Sequence, residues 1–278
     1  MTTTRSSLAA IFACLSLTGA CQPSPKENAK DAPTAQEPQG SLDQAVGPEM
    51  MQAIRLTNLA ELSKATGVGP YHDLGFRGQN VTIAILDNGF DGLELSRGAT
   101  LPAASAIEPS FTGQPAQTSH GTHMAELAYA LATGTNDASK QKDGPELLLY
   151  VTNGPYENLE SAVNDLIAKK RRNPERPMIV LYSQVWEFGG NGDGRGYINR
   201  LVNLGVDAGL LWVNAAGNLG QNTYTDQVKI RKAGELALPV DERYLEFKVA
   251  EGPAEIRLVL GWDNFTDSYY NYRTANKH

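Results

Sequence analysis

Cysteine is nearly absent: the 278 residues contain two, Cys14 and Cys21. Both lie in or beside one apolar stretch near the N-terminus, so the rest of the chain has no disulfide framework, thiolate nucleophile or cysteine-based metal site. Positive charge is also in deficit. The formal net charge is −7, and a nucleic-acid binder normally carries a basic stripe. The one basic cluster, KKRRNPER (169–176), closes a helical pattern, where cations suit the negative end of the helix dipole. No run is long enough to span a membrane as a mature helix. Aromatic residues are missing altogether between Phe12 and Tyr71.

The missing aromatics mark off the N-terminal region. Arg5 precedes LAAIFACLSLTGA (8–20), which has the length and small-residue ending of a signal segment, so residues 1–20 are expected to lie outside the fold. The ending LTGAC resembles a bacterial lipobox, which implies lipidation of Cys21; the alternative is a plain secretory signal. Gln22 after the cysteine is compatible with sorting to an outer membrane. Residues 22–49 hold Pro23, Pro25, Pro33, Pro38 and Pro48, charges of both signs and no aromatic residue. Such a segment cannot bury enough apolar area to offset the entropy of ordering it, and 21–49 reads as a tether.

From residue 50 onward the chain has the pattern of a folded domain. Hydrophobic residues make up 41% of the chain and charged residues 20%, ordinary for a globular protein. Met51, Ile54, Leu59 and Leu62 predict a surface helix over 50–65. VTIAIL (81–86), ELLLYVT (146–152), MIVLYSQ (178–184) and LLWVNAA (210–216) are short continuous apolar runs, which suit strands buried on both faces. Helical patterns lie between them: one from about His120, one over 156–172 and one over 197–208. The alternation predicts an α/β fold, a doubly wound, mainly parallel sheet with helices on both faces. The tail differs. YLEFKVA (244–250), a Gly252-Pro253 turn and EIRLVLGW (255–262) read as antiparallel strands. The expected domains are therefore 50–222 and a β-rich segment beginning at 223.

In open α/β sheets ligands bind at the carboxyl ends of the strands. Asp87 ends the first run, His120 opens a helix, and Asn218 comes after the last run in VNAAGN (213–218). Asp87 alone fits a capped strand end or a phosphotransfer aspartate, the latter lacking companion carboxylates beyond Asp91. His120 and His123 are three apart, whereas a helical zinc pair needs four with a glutamate between, and no third ligand stands out. His123 reads as a structural histidine.

Together these blocks are more specific. GFRGQNVTIAILDNGFDG (75–92), SHGTHMAE (119–126) and WVNAAGNLG (212–220) resemble the aspartate, histidine and oxyanion-asparagine blocks of the subtilisin-like serine peptidases, in that family's order. The resemblance spans about residues 75–222. It implies an endopeptidase acting on protein or peptide substrates. His120 would be the general base, Asp87 its orienting partner and Asn218 the oxyanion donor. Ser183, in LYSQVW (181–186), matches the strand that pairs with substrate backbone, and Gly189 and Gly190 would leave room beside it; a surface loop is equally consistent with the glycines. Glu126 stands where many members have glycine.

The family's nucleophile has no counterpart. After Asn218 there is a single serine, Ser268, with no glycine turn before it and no apolar helix after it. The simplest expectation is a chain that stops short of its serine block. The other reading is a non-catalytic envelope lipoprotein that binds peptides or partners on the same scaffold. No cofactor is expected. Calcium is the one alternative, since GGNGDGRG (189–196) offers Asn191 and Asp193, a poor oxygen set for that ion. The expected state is a monomer in the cell envelope, held to a membrane by lipid, without nucleic acid. Cys21→Ser is expected to release the protein into the soluble fraction; a variant that sediments with membranes like the wild type would remove the anchor.

Overall fold

The computed structural model describes residues 9–18, 59–108, 114–141, 143–186, 189–217, 223–230, 236–237, 255–261 and 265–270. In chain order the elements begin with strand β1 (Ala9–Thr18), helices α1 (Leu59–Thr66) and α2 (Gly69–Asp73), strand β2 (Thr82–Asp87) and helix α3 (Leu93–Ser96). Next come helix α4 (His120–Thr133), strand β3 (Glu146–Val151), helix α5 (Tyr156–Arg172), strand β4 (Met178–Tyr182), helix α6 (Tyr197–Asp207) and strand β5 (Leu211–Asn214). The last three are strands β6 (Thr223–Ile230), β7 (Leu236–Ala237) and β8 (Glu255–Gly261). The chain divides into two compact units, one of residues 42–185 and 198–216, the other of residues 1–41, 186–197 and 217–278.

The larger unit is built on a parallel sheet in the order β3-β2-β4-β5. The continuous apolar runs fall on these four strands. The reason is visible at β2, whose six residues are all buried. Successive side chains point to opposite faces. Ile83 and Ile85 pack with Leu147, Leu149, Ala125 and Tyr129 of β3 and α4, while Ala84 and Leu86, fully buried as well, take the other face. A strand flanked on both edges and covered on both faces favours apolar residues along its length; the two polar ones, Thr82 and Asp87, stand at its ends. The structure is thus the α/β arrangement that the sequence predicts. Of the expected helix over 50–65, α1 covers the second half; Met51 and Ile54 lie outside the described residues.

Helix α5 carries the basic cluster, and its cations have separate tasks. Lys170 Nζ donates to the carbonyls of Pro174 (2.6 Å) and Arg176 (3.0 Å), closing the helix end. Lys169 instead turns inward, donating to Asp165 (2.5 Å) and Glu108 (2.8 Å). Tyr150 of β3 donates to the same Asp165 oxygen at 2.6 Å. Burial, then the Asp165 carboxylate, push the Tyr150 phenol far up. Burial alone would raise Asp165; the Lys169 ammonium and the Tyr150 hydroxyl outweigh it and hold the carboxyl below its usual range. Burial alone would lower Lys169, but its two carboxylates keep it above its ordinary value.

The smaller unit contains an antiparallel sheet in the order β7-β6-β1-β8. One of its two inner strands is the run with the pattern of a signal segment: Phe12 lies opposite Thr225 on one side and Gly261 on the other. Residues 9–18 are thus a paired strand in the full chain, in which residues 1–20 are still attached. The physical reason is general. An apolar run with no partner leaves its backbone groups unsatisfied, and two strand edges satisfy both sides of it. The second tail strand is found as β8, and the first, 244–250, lies outside the described residues. Residues 186–197 also belong to this unit. They are tied to residues 265–270: Asn191 Nδ2 donates to Phe265 O (2.8 Å) and Phe265 N to Asn191 Oδ1 (2.9 Å). Tyr197 is fully buried and meets the rings of Phe265 and Tyr269 edge-on at 5.8 and 5.2 Å.

The Lys169 network gives a signed prediction. A carboxyl held low in the fold favours the folded state at neutral pH, and that contribution is lost as pH falls through its folded value. Asp165→Asn is expected to lower stability at pH 7, with the gap to wild type closing below about pH 4. Urea unfolding at both pH values measures it; a constant gap would assign the loss to something other than the ionised carboxylate.

Candidate active site

The topology brings the ends of β2 and β4 and the start of α4 to one edge of the sheet. Leaving β2, the chain returns through α4 to β3 on one side; leaving β4, it returns through α6 to β5 on the other. The adjacent carboxyl ends of β2 and β4 therefore form the topological switch point, where open α/β sheets make their ligand crevice. Asp87 is the last residue of β2, and residue 183 comes just after β4, whose Tyr182 pairs with Leu86.

Asp87 is 1% exposed, and three donors meet its carboxylate. The Asn88 backbone N–H donates to Oδ1 at 2.8 Å. His120 Nδ1 donates to Oδ2 at 2.8 Å. The Ser183 hydroxyl donates to the same oxygen. An ionised carboxylate can only accept, so its contact fixes the proton on Nδ1 of His120. In the neutral imidazole, Nε2 then carries the lone pair. The His120 side chain is 48% exposed, so the histidine reaches solvent while its partner does not. That is the geometry of a general base with a buried orienting group.

Two local features hold His120 there. The helix starts at His120 itself, after a loop that runs along the end of β2: Ala116 N donates to Asn88 O (2.8 Å) and Asp91 N to Thr118 O (2.9 Å). Next, Gly121 N donates to Gly89 O at 3.0 Å. A Cβ at Gly121 would lie 2.6 Å from Gly89 O, 2.7 Å from Phe90 Cε1 and 2.8 Å from Asp87 Cβ. Only glycine allows the helix this close to the strand end. Farther along α4, Glu126 is buried and accepts from the hydroxyls of Ser96 (2.7 Å) and Thr100 (2.6 Å), tying α4 to α3 and the turn after it. His123 is half-buried one turn after His120.

Ser183 is half-buried, with its side chain on Asp87. The sequence pattern gave this residue to substrate backbone and missed the Asp87 contact. The contact follows from the pairing of β4 with β2, which sets residue 183 beside residue 87. Gly189 is buried and Gly190 half-buried, in the smaller unit. A Cβ at Gly196 would stand 2.4 Å from Gly189 O, so the loop is folded back on itself. Asn191 is engaged with Phe265, and Asp193 Oδ1 accepts from Arg195 N at 2.9 Å. Cys21 and Asn218 lie outside the described residues. Among the described residues there is no group of three or more His, Cys, Asp or Glu arranged for a metal ion, and no helix long and apolar enough to cross a membrane.

The sequence pattern of the family described as Subtilase family matches residues 78–236, more than half of the chain. The chain belongs to the subtilase family. No solved structure gives a significant match. Its subtilase domain is that of a serine-type peptidase, a hydrolase, and the matched residues include both the β2 strand of Asp87 and the α4 helix of His120.

Gly121→Ala tests how tightly the subtilase pair is built. The added methyl is expected to cost about 1–3 kcal/mol as overpacking and to abolish the downfield Nδ1 proton resonance of His120. A variant that keeps both stability and that resonance would show that the close approach is not required.

Proposed function

We propose that this chain is the N-terminal part of a lipid-anchored subtilisin-like endopeptidase whose serine nucleophile comes after residue 278. The observation that carries the reading is the His120–Asp87 contact at the switch point, with Nε2 left as the basic nitrogen. In the proposed mechanism His120 takes the nucleophile's proton and returns it to the leaving amine. Asp87 holds the tautomer and stabilises the imidazolium. Ser183 and Asn88 support the Asp87 charge. The Asn218 amide donates to the oxyanion; loss of one such donor costs about 100- to 1,000-fold in turnover. The backbone at Ser183, with Gly189 and Gly190, is assigned to the substrate, and no metal or other cofactor takes part.

A nucleophile beyond residue 278 is supported by the state of the sheet. Strand β5 pairs only with β4 among the described residues, and Leu211 and Val213 are 61% and 48% exposed. Parallel strands are normally covered on both faces, so β5 is unlike a finished edge. Ser268 has no glycine turn before it and no apolar helix after it, unlike the family's serine block. Lipidation at Cys21 would place the domain in the cell envelope as a monomer on a tether. A non-catalytic, peptide-binding lipoprotein is the second reading, favoured by the lack of a serine block in residues 219–278.

The coding frame after His278 separates the two. A continuing frame with a Gly-Thr-Ser-Ala-like block supports the peptidase, and a stop codon there overturns it. The 278-residue chain is expected to resist labelling by a fluorophosphonate, and label on Ser268 would refute the assignment. In the longer protein His120→Ala is expected to lower kcat by more than about 1,000-fold; wild-type turnover would remove His120 from the mechanism.

A further inference from the structure

The carboxyl ends of the parallel strands carry the candidate site; their amino ends carry a surface of another kind. Helices α4 and α5 start at the carboxyl end and finish at the amino end. There α2 is fastened to the last turn of α4. His72 Nε2 donates to Leu131 O at 3.0 Å, and a Cβ at Gly134 would lie 2.8 Å from His72 Nδ1. The chain then enters β2 past the segments that lead into β3 and β4. A Cβ at Gly78 would lie 3.0 Å from Pro145 Cδ, and Thr82 N donates to Pro177 O at 3.0 Å. Glu146 accepts from Thr82 Oγ1 at 2.8 Å and pairs with Arg176 at 3.3 Å. Residues 71–82 and the end of α5 therefore share one end of the larger unit. Tyr71, Leu74 and Phe76 stand out of it, 63%, 76% and 60% exposed. Arg171 and Arg172 are exposed there too, as are the carboxylates Asp73, Asp143 and Glu175.

We propose that this amino-end surface seats on a phospholipid bilayer. Tyr71, Leu74 and Phe76 would lodge at headgroup depth, where tyrosine, phenylalanine and leucine side chains suit the boundary. Arg171 and Arg172 would donate to headgroup phosphates, since a guanidinium group can only donate. Charge on this end is mixed, so the apolar triad carries the contact and the two arginines favour anionic lipid. The inference rests on the lipid-anchor reading. A tether of residues 21–49 spans about 30 Å as a flexible coil, which confines the domain beside the bilayer and lets a weak contact act. Freed from the lipid, the same contact is diluted into solution, so it adds to the anchor and does not replace it. The seating also orients the site. Strand β2 is six residues long, which sets Asp87 and His120 about 20 Å from the seated end, facing away from the lipid. Substrates then approach from the aqueous side.

The test uses the full lipidated protein in vesicles of phosphatidylethanolamine and phosphatidylglycerol. In the anchored form Cys21 carries lipid and Cys14 has left with the signal segment, so no other thiol remains. Leu74→Cys, Phe76→Cys and Gln117→Cys, the last beside His120, each take one fluorophore. Lipids with a nitroxide at headgroup level are expected to quench the probes at 74 and 76 and to spare the one at 117. Arg171→Glu combined with Arg172→Glu should lower the seated-to-free ratio, read at 74, about tenfold or more. Quenching absent at 74 and 76, or equal at all three positions, would overturn the inference. Wild type supplies a check without reporters: amide exchange over 71–77 should be slower on vesicles than in the Cys21→Ser chain in solution. Equal exchange would overturn the inference even if the cysteine variants misfold. Protection found in native membranes and lost on the vesicles would assign the surface to a protein partner instead. Wild type that does not float with the vesicles overturns the anchor reading, and this inference with it; wild type that floats with 71–77 unprotected overturns this inference alone.

Discussion

A carboxylate that is almost wholly removed from water must be met by donors, or it will not stay ionised. Asp87 satisfies that requirement with groups from three places in the chain: its neighbour Asn88, His120 of α4, and Ser183 after β4. Each donor fixes one spatial relation. Asn88 sets the turn out of β2, His120 sets the start of the helix, and Ser183 sets the register of β4 against β2. The closeness of α4, which only Gly121 permits, arises from the same demand. The buried charge therefore specifies geometry as much as chemistry, as buried polar networks do when every member is satisfied.

How much of this was legible in the sequence depended on the range of the interaction that decides it. The four parallel strands were readable as apolar runs; at β2 and β3 the cause is double-sided burial, as in TIAILD and ELLLYV, whereas β5 carries the same pattern with Leu211 and Val213 exposed. Helix α5 was readable from its period and its basic end. His120 could be separated from His123 by position, since only His120 opens the helix after a strand ending in Asp87. The Ser183 hydroxyl was not readable as an Asp87 donor, because that contact is set by β4 lying beside β2, 96 residues away. Glu126 was legible only as a departure from a family pattern; its partners Ser96 and Thr100 are 30 and 26 residues distant.

Composition was the weakest guide where one residue type had several uses. The basic cluster was correctly read as a helix end, yet Lys169 leaves that end to serve a network with Asp165, Glu108 and Tyr150. The glycine-rich loop 189–196 looked open and adaptable. Its asparagine instead imitates a strand partner for Phe265, a two-way exchange of amide and carbonyl that no spacing rule announces. The N-terminal apolar run carries the same ambiguity: the residues that suit a signal segment also pair well between β6 and β8.

The order of the parallel sheet has a consequence for how the molecule is made. Its inner strand β2 is synthesised before every strand that pairs with it. Both neighbours arrive only after a helical crossover, so β2 waits with both edges bare through a long stretch of translation. Pairings between distant segments form slowly because loop closure must precede any gain, and an unpaired apolar strand is an open template for other chains. Each later strand closes one edge and exposes another, and β5 passes the vacancy outward. Growth of this kind is vectorial: the buried aspartate is laid down first, and the strand bearing it is shielded in sequence from the inside out.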